Sequence, residues 1–237
     1  MRMLELFSGT GRMAAAFRER GYRTLTVDAF EQADIKKDIR QITREDIVSA
    51  LGGVPDIIWA SPPCKGFSVA AISKNWRREG IAVTATSDTA REGLALLWRT
   101  LSIIEWFPCA VWFVENPRGM MRRAFPERLG KRHTVTYCQY GERRMKPTDI
   151  WSNSETWTPR PACNNGGLCH EAAPRGSKTG TQGIKGAKAR GALPYQLCEQ
   201  VSGAIQQKGK MRGPPCAICG DHHKRPHFPN RRRVNLW

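Results

Sequence analysis

The 237-residue chain has no uninterrupted apolar run near the ~20 residues that a membrane-spanning helix needs, which excludes such a helix. It is also short of acid. Only 21 Asp and Glu stand against 38 Lys and Arg, leaving a formal net charge of +17 and a pI near 10.0. That deficit disfavours cationic partners and suits a polyanion, whose condensed counterions are released on binding, so nucleic acid is the leading partner. No internal repeat is present, which excludes a solenoid. A charged leader followed by an apolar stretch is missing as well: Met1 to Phe7 runs directly into a core-strand pattern, so a cytoplasmic protein is expected. In that setting the eight cysteines read as a nucleophile, buried thiols and metal ligands in preference to disulfides.

What is present is organised in two textures. Short apolar runs alternate with helical segments through the first half: 3–7, 12–20, 23–27, 44–51, 56–60, 88–106 and 110–114. Alternation of this kind predicts an α/β fold, a parallel sheet covered by helices on both faces. From about Trp151 the chain turns to Pro, Gly, Ser, Asn and Lys, and apolar periodicity returns only where Leu193, Leu197, Val201 and Ile205 mark one helix face. The expected organisation is a main domain over 1–150, a small irregular region over 151–190, a helix over 191–207 that packs back on the main domain, and a basic Cys/His-rich tail over 208–237. The size suits a compact monomer.

Two strand ends carry groups suited to a nucleoside. Leu4-Glu5-Leu6-Phe7-Ser8-Gly9-Thr10-Gly11 is a strand running into a glycine turn that opens a helix, where the backbone can approach a ligand closely. Asp28 closes the next strand with a carboxylate able to accept from ribose hydroxyls, and Asp38-Ile39 can receive an adenine amino group. Further on, Trp59-Ala60-Ser61-Pro62-Pro63-Cys64-Lys65-Gly66-Phe67-Ser68 puts a cysteine on a proline-stiffened loop after a strand, and Phe113-Val114-Glu115-Asn116-Pro117 places a carboxylate at the end of another.

In this order the glycine turn, ribose acid, Asp-Ile pair, Pro-Cys loop and Glu-Asn pair resemble the cytosine carbon-5 DNA methyltransferases, in particular compact, bacteriophage-like members. The resemblance covers about residues 3 to 150 and extends weakly to the helix near 193–206. It implies a Rossmann-like S-adenosylmethionine-dependent methyltransferase fold with a small recognition domain, and methyl transfer to cytosine in double-stranded DNA. It implies a cofactor site of Phe7, Ser8, Gly9, Gly11, Asp28, Asp38, Ile39 and Pro63. Cys64 would be the nucleophile that adds to carbon 6 of a flipped base, and Glu115 would hold ring nitrogen 3 and the exocyclic amine. Basic surroundings are expected to favour the Cys64 thiolate. The biological setting implied is protection of phage DNA or a restriction-modification pair.

Three departures stand out. The family carries Gln-x-Arg-x-Arg after a Tyr-Gly, and anchored on Tyr140-Gly141 that triplet reads Arg144-x-Lys146-x-Thr148 here. Arg144 and Lys146 can meet phosphate or base, but Thr148 cannot supply the second guanidinium. Lys65 stands where Gln follows the nucleophile, and Pro117 where Val is customary.

Only about Trp151 to Arg190 is left for target recognition, so a short or degenerate target sequence is expected; the 175–183 run offers donors for base edges and phosphates. Cys216, Cys219, His223 and His227 have spacings near those of structural zinc sites, with His222 as a substitute for His223. Cys163, Cys169 and His170 form a second candidate set, with Cys198 as an optional fourth donor. Two rival readings remain open at this point: the same chemistry on RNA, and a zinc-stabilised DNA-binding module without turnover. A dinucleotide oxidoreductase explains neither the charge nor the Pro-Cys and Glu-Asn segments.

Overall fold

The computed structural model describes residues 1–79, 82–126, 130–164, 166–171, 184 and 186–206. In chain order, β1 (Arg2–Leu6) leads through α1 (Arg12–Arg18) to β2 (Arg23–Asp28) and β3 (Ile35–Lys36), and α2 (Arg44–Leu51) leads to β4 (Ile57–Ala60). A short α3 (Ile72–Asn75), a hairpin of β5 (Trp76–Glu79) and β6 (Ala82–Ala85), and the long α4 (Asp88–Glu105) precede β7 (Val111–Pro117). Then come α5 (Met121–Ala124), β8 (Lys131–Thr136), β9 (Pro147–Ser152), α6 (Ala187–Gly191) and α7 (Tyr195–Gln206). Among the described residues no helix is long and apolar enough to cross a membrane.

One seven-stranded sheet has the order β3-β2-β1-β4-β7-β9-β8, parallel from β3 to β7, with β9 antiparallel to both its neighbours. Side chains alternate between two cores, as the two-residue period of a strand requires. Leu4, Leu6, Ile58, Ala60, Trp112 and Val114 face α2 and α4 on one side. Met3, Ile57, Trp59, Phe113 and Ile150 face α1 and α7 on the other. Both sides being covered explains why the central strands read as continuous apolar runs.

The helices start where local chemistry tells them to. Thr43 and Asp46 form a reciprocal capping box on α2, and the Ser87 hydroxyl accepts from the amide of Ala90 at the start of α4. The expected return helix begins at Tyr195. Leu193 lies just before it but is buried with Leu197, Val201 and Ile205 against α1. Its docking is fixed by Arg12, which donates to the Leu193 carbonyl at 2.7 Å, and by Arg20, which donates to the Glu199 carbonyl at 3.3 Å.

α1 starts differently. Its N-cap is Gly11, in the left-handed region at φ 66°, and no side chain of its own caps it. The cap comes from the strand beneath: Glu5, on the same face of β1 as Met3, accepts from the amide of Ala14 at 2.8 Å. Burial there raises the Glu5 pKa from 4.5 to about 8, against the lowering effect of the Ala14 and Met13 amides. The folded protein therefore keeps a proton that the unfolded chain gives up, and stability falls as pH rises from about 4.5 to about 8. Glu5→Gln retains an acceptor without the charge. Urea midpoints measured at about pH 5 and about pH 9 should decline less in that variant than in the wild type, and equal declines would refute the assignment.

Candidate active site

In the sheet, β1 to β3 wind one way and β4 to β7 the other, so the crevice of the switch point opens between the loops that leave β1 and β4. Every strand-end group singled out in the sequence reaches this carboxyl edge. After β1, Phe7 adopts φ 55°, a conformation L residues rarely hold, and Gly9 and Gly11 follow at φ 53° and 66°. The space a side chain at Gly11 would occupy is open, whereas the Ser8 hydroxyl is buried with no hydrogen-bond partner. An orphaned buried hydroxyl in a glycine turn is what a polar ligand such as the cofactor's amino-acid end would complete. Asp28 braces this turn. One of its oxygens accepts from the Gly9 amide at 3.0 Å, the other from the amides of Phe30 and Glu31. Asp38 caps the turn that begins at Ile39 and is clasped by Arg40, whose hydrogen bonds hold its pKa below the usual carboxylate range. An adenine amine at Asp38 has to share that carboxylate with Arg40.

The cysteine loop leaves β4 at Ser61. Pro63 is exposed, and Cys64 opens a 3₁₀ turn, Cys64–Gly66, with its residue surface open to solvent. The rest of the loop is pinned. Asn116 donates to the Pro62 carbonyl at 2.8 Å, the Met120 amide to the Phe67 carbonyl at 2.8 Å, and the Trp76 indole to the Gly66 carbonyl at 2.7 Å. A Cβ at Gly66 would sit 2.6 Å from the Thr89 carbonyl oxygen, so glycine alone lets the loop lie on the start of α4. The β5–β6 hairpin, not anticipated from the sequence, supplies Trp76, which stacks on Phe67 with ring centroids 5.9 Å apart.

Facing the thiol is a buried acid. Glu115 on β7 is 4% exposed and accepts from the Tyr137 hydroxyl at 3.2 Å. Burial raises its pKa, and Lys146 and hydrogen bonds from Ser61 and Tyr137 oppose the rise. Lys146 stands at φ 31°, with its ammonium 4.4 Å from the centre of the Tyr137 ring and 3.0 Å from the Arg190 carbonyl. Phe7 and Lys146 are the two non-glycine residues with positive φ among those described, and each lies in a site loop.

Two expectations change. The Cys64 pKa is raised, not lowered: desolvation and the Glu115 charge outweigh the opposing pull of Lys146 and Arg190. Arg144 is 2% exposed and its guanidinium is taken up by the carbonyls of Arg190 and Ala192 at 3.0 and 3.2 Å, so it ties the chain before α7 to the segment that leads into β9 instead of projecting toward a base. Thr148 is fully buried and bonds the Tyr137 hydroxyl and the Lys146 carbonyl. Tyr137 and Arg190 were not foreseen. Tyr137 lay inside a segment that reads as a charge run, and Arg190 is about 40 residues further along the chain.

A second chemical cluster lies apart from these groups. Cys163, Cys169 and His170 come together with Cys138, all four ligand atoms within 4.8 Å of one another. Cys198 is not the fourth member. The helix face that buries Leu197 and Val201 carries it into the core, where burial pushes its thiol pKa far up. Cys216, Cys219, His223 and His227, with His222 and the 175–183 run, lie outside the described residues.

A doubly covered, mostly parallel sheet, with a glycine turn after β1 and a thiol loop after β4 opposed by a buried acid on β7, defines a Rossmann-like domain of the S-adenosylmethionine-dependent methyltransferase type. The C-5 cytosine-specific DNA methylase family matches residues 1–130, and with that match the chain belongs to this family. A protein of Frog virus 3 (isolate Goorha), named a "probable DNA (cytosine-5)-methyltransferase", is 32% identical over 171 residues, 68% of this chain and 74% of that protein. Similar solved structures include a Dnmt2 mutant from Spodoptera frugiperda (TM-score 0.44, 20% identity, 69% of this chain) and the Dnmt2 methyltransferase of S. pombe (0.41, 15%, 67%). The Entamoeba histolytica methyltransferase EhMeth gives 0.45, 15% and 67%. The chain spans 56%, 52% and 54% of those three structures, about half of each.

Proposed function

We propose that the chain methylates carbon 5 of cytosine in double-stranded DNA, with Cys64 as covalent nucleophile on a base flipped out of the duplex. The observation that carries this reading is the opposition, at one sheet edge, of the exposed residue Cys64 and the buried Glu115, whose pKa burial raises. Either group alone is common. Together they match what addition to a pyrimidine needs: a sulfur for carbon 6 and a proton for nitrogen 3.

S-adenosylmethionine supplies the electrophilic methyl carbon. Ser8, Gly9, Gly11, Asp28, Asp38, Ile39, Phe7 and Pro63 would hold it, the Ser8 hydroxyl gaining the partner it lacks in the free protein. As the Cys64 sulfur bonds to carbon 6, the ring electrons move toward nitrogen 3, where the Glu115 proton is taken up. Carbon 5, now enamine-like, accepts the methyl group. Water acting as a base then takes the carbon-5 proton, the ring double bond re-forms as the carbon–sulfur bond breaks and the Cys64 thiolate leaves, and nitrogen 3 returns its proton to Glu115. Tyr137 orients Glu115 by its hydroxyl, and the Lys146 ammonium stabilises whichever of Cys64 and Glu115 is charged.

Residues 1–150 constitute the catalytic part, 151–190 read a short target, 191–207 return to the catalytic part, and the basic 208–237 tail adds phosphate contacts. The test is to incubate the protein with tritiated S-adenosylmethionine and either unmethylated genomic duplex DNA or tRNA, and to identify the labelled base after digestion. Label in 5-methylcytosine from the duplex is the expected result. Label from tRNA alone would transfer the same chemistry to RNA, and none from either would sink the methyl-transfer reading.

A further inference from the structure

We infer that Cys138, Cys163, Cys169 and His170 bind one structural zinc ion, which clamps the 163–171 loop onto the turn that follows β8. This goes beyond methyl transfer and stands or falls independently of it. Three thiols and an imidazole are a common structural zinc set. For tetrahedral zinc with bonds of ~2.3 Å to sulfur and ~2.0 Å to nitrogen, the sulfur-to-nitrogen edges come to roughly 3.5 Å. Here Nδ1 of His170 lies 3.5 Å from the Cys163 sulfur and 3.6 Å from that of Cys169. The two sulfurs are 3.1 Å apart, well beyond a disulfide bond of ~2.05 Å and inside the roughly 3.8 Å edge of tetrahedral zinc, so they would part by about 0.7 Å to take the ion.

The loop is shaped around the four donors. Its chain reverses at Asn164, whose carbonyl accepts from the Gly167 amide at 3.2 Å. A Cβ at Gly167 would lie 3.0 Å from the Cys163 sulfur and 3.6 Å from the Cys169 sulfur, so the backbone packs closely on the thiols and a side chain there would press on them. Gln139 donates to the Cys169 sulfur at 3.3 Å, the kind of outer hydrogen bond that steadies a metal-bound thiolate. The Cys163 amide donates to the Thr136 hydroxyl at 2.8 Å, and the Glu171 amide to the Arg143 carbonyl at 2.8 Å, so the loop is seated at both ends.

The position gives the ion a purpose. The loop lies in the polar region after β9, where the described residues contribute few buried apolar side chains, and a small irregular segment of this kind needs a staple. Its anchor, Cys138, directly follows Tyr137, the residue bonded to Glu115. A zinc ion here would therefore fix the recognition region to the floor of the catalytic site.

The test compares zinc content in the full-length wild type, a Cys163→Ser/Cys169→Ser variant and a Cys216→Ser/Cys219→Ser variant, each purified with zinc present. The first variant is expected to lose one equivalent relative to the wild type and the second to keep that equivalent. Equal content in wild type and the 163/169 variant, including none in either, overturns the site. A wild-type measurement covers a variant that fails to fold: Cys163 and Cys169 should resist alkylation with zinc bound and react after chelation, mapped by peptide mass. Equal alkylation with and without zinc, or a Cys163–Cys169 disulfide in the purified protein, overturns it as well.

Discussion

Glu115→Gln lowers methyl transfer by ~10²–10⁴-fold, the usual range for a lost proton donor, yet makes Cys64 of the substrate-free protein react faster with iodoacetamide. The two effects have opposite signs because Glu115 acts on Cys64 in two ways. Desolvation does most to raise the thiol pKa above its ordinary value of 9.0, and the Glu115 charge raises it further once that acid has ionised; the amide removes this second contribution. As a proton carrier Glu115 is needed once the base is bound, and an amide has no such proton to give. In the wild type the alkylation rate should still be climbing with pH beyond about 9, since only the thiolate reacts and its pKa is raised. In Glu115→Gln the climb moves to lower pH. Lys146→Met should shift it the other way, because the ammonium beside Cys64 favours the thiolate. Cys64→Ala serves as the control, with no methyl transfer. Superimposable alkylation profiles for the wild type and Glu115→Gln would refute the electrostatic coupling.

This coupling suggests how the thiol is kept quiet between turnovers. Desolvation disfavours charge on Cys64 and on Glu115 alike, and a charge on either disfavours one on the other. A cytosine that hydrogen-bonds the protonated Glu115 holds that acid neutral, and Lys146 and Arg190 are then left to favour the thiolate alone. In the proposed mechanism the thiolate is thus favoured as the base arrives. Low thiolate content in the free protein also limits oxidation of an accessible cysteine.

Much of this was legible in the sequence, for particular reasons. The buried central strands are short apolar runs, the glycine turn and Cys64 follow strand ends, and Glu115 lies in the carboxyl half of β7, so a parallel sheet gathers them at one edge whatever the loops between them do. The outer strands were not legible. β8 (Lys131–Thr136) and β9 (Pro147–Ser152) are polar, and β9 continues past residue 150 to Ser152, so the sheet extends beyond the compositional change. Arg144 matched a motif position, but its direction is set by the carbonyls of Arg190 and Ala192, far away in sequence. Cys138 was missed as a member of the Cys/His cluster for the same reason. It stands 25 residues before Cys163, and only the fold of the intervening β9 brings the two together.

The outer strands depend on one ion pair, and its loss is expected to be the largest single stability effect outside the cores. Asp149 on β9 is fully buried and receives both a fork of hydrogen bonds from Arg122 on α5 and the Thr134 hydroxyl of β8 at 2.8 Å. The Arg122 side chain is a quarter exposed and keeps some contact with water, whereas the Asp149 carboxylate has none and depends on its partners. Arg122→Leu strands that carboxylate and should cost about 3 kcal/mol, the lower end of the range for breaking a buried pair, read as a reduced urea midpoint. Arg122→Leu/Asp149→Leu removes both charges and should regain most of that loss, whereas additive losses would mean that the pair is not coupled. The double variant also tests the site from a distance. Asp149 is one of the charges that raise the Glu115 pKa, so without it Glu115 should release its proton at lower pH. The limb of the methyl-transfer pH profile on which activity falls as Glu115 ionises should then move to lower pH, at a temperature where both proteins are fully folded.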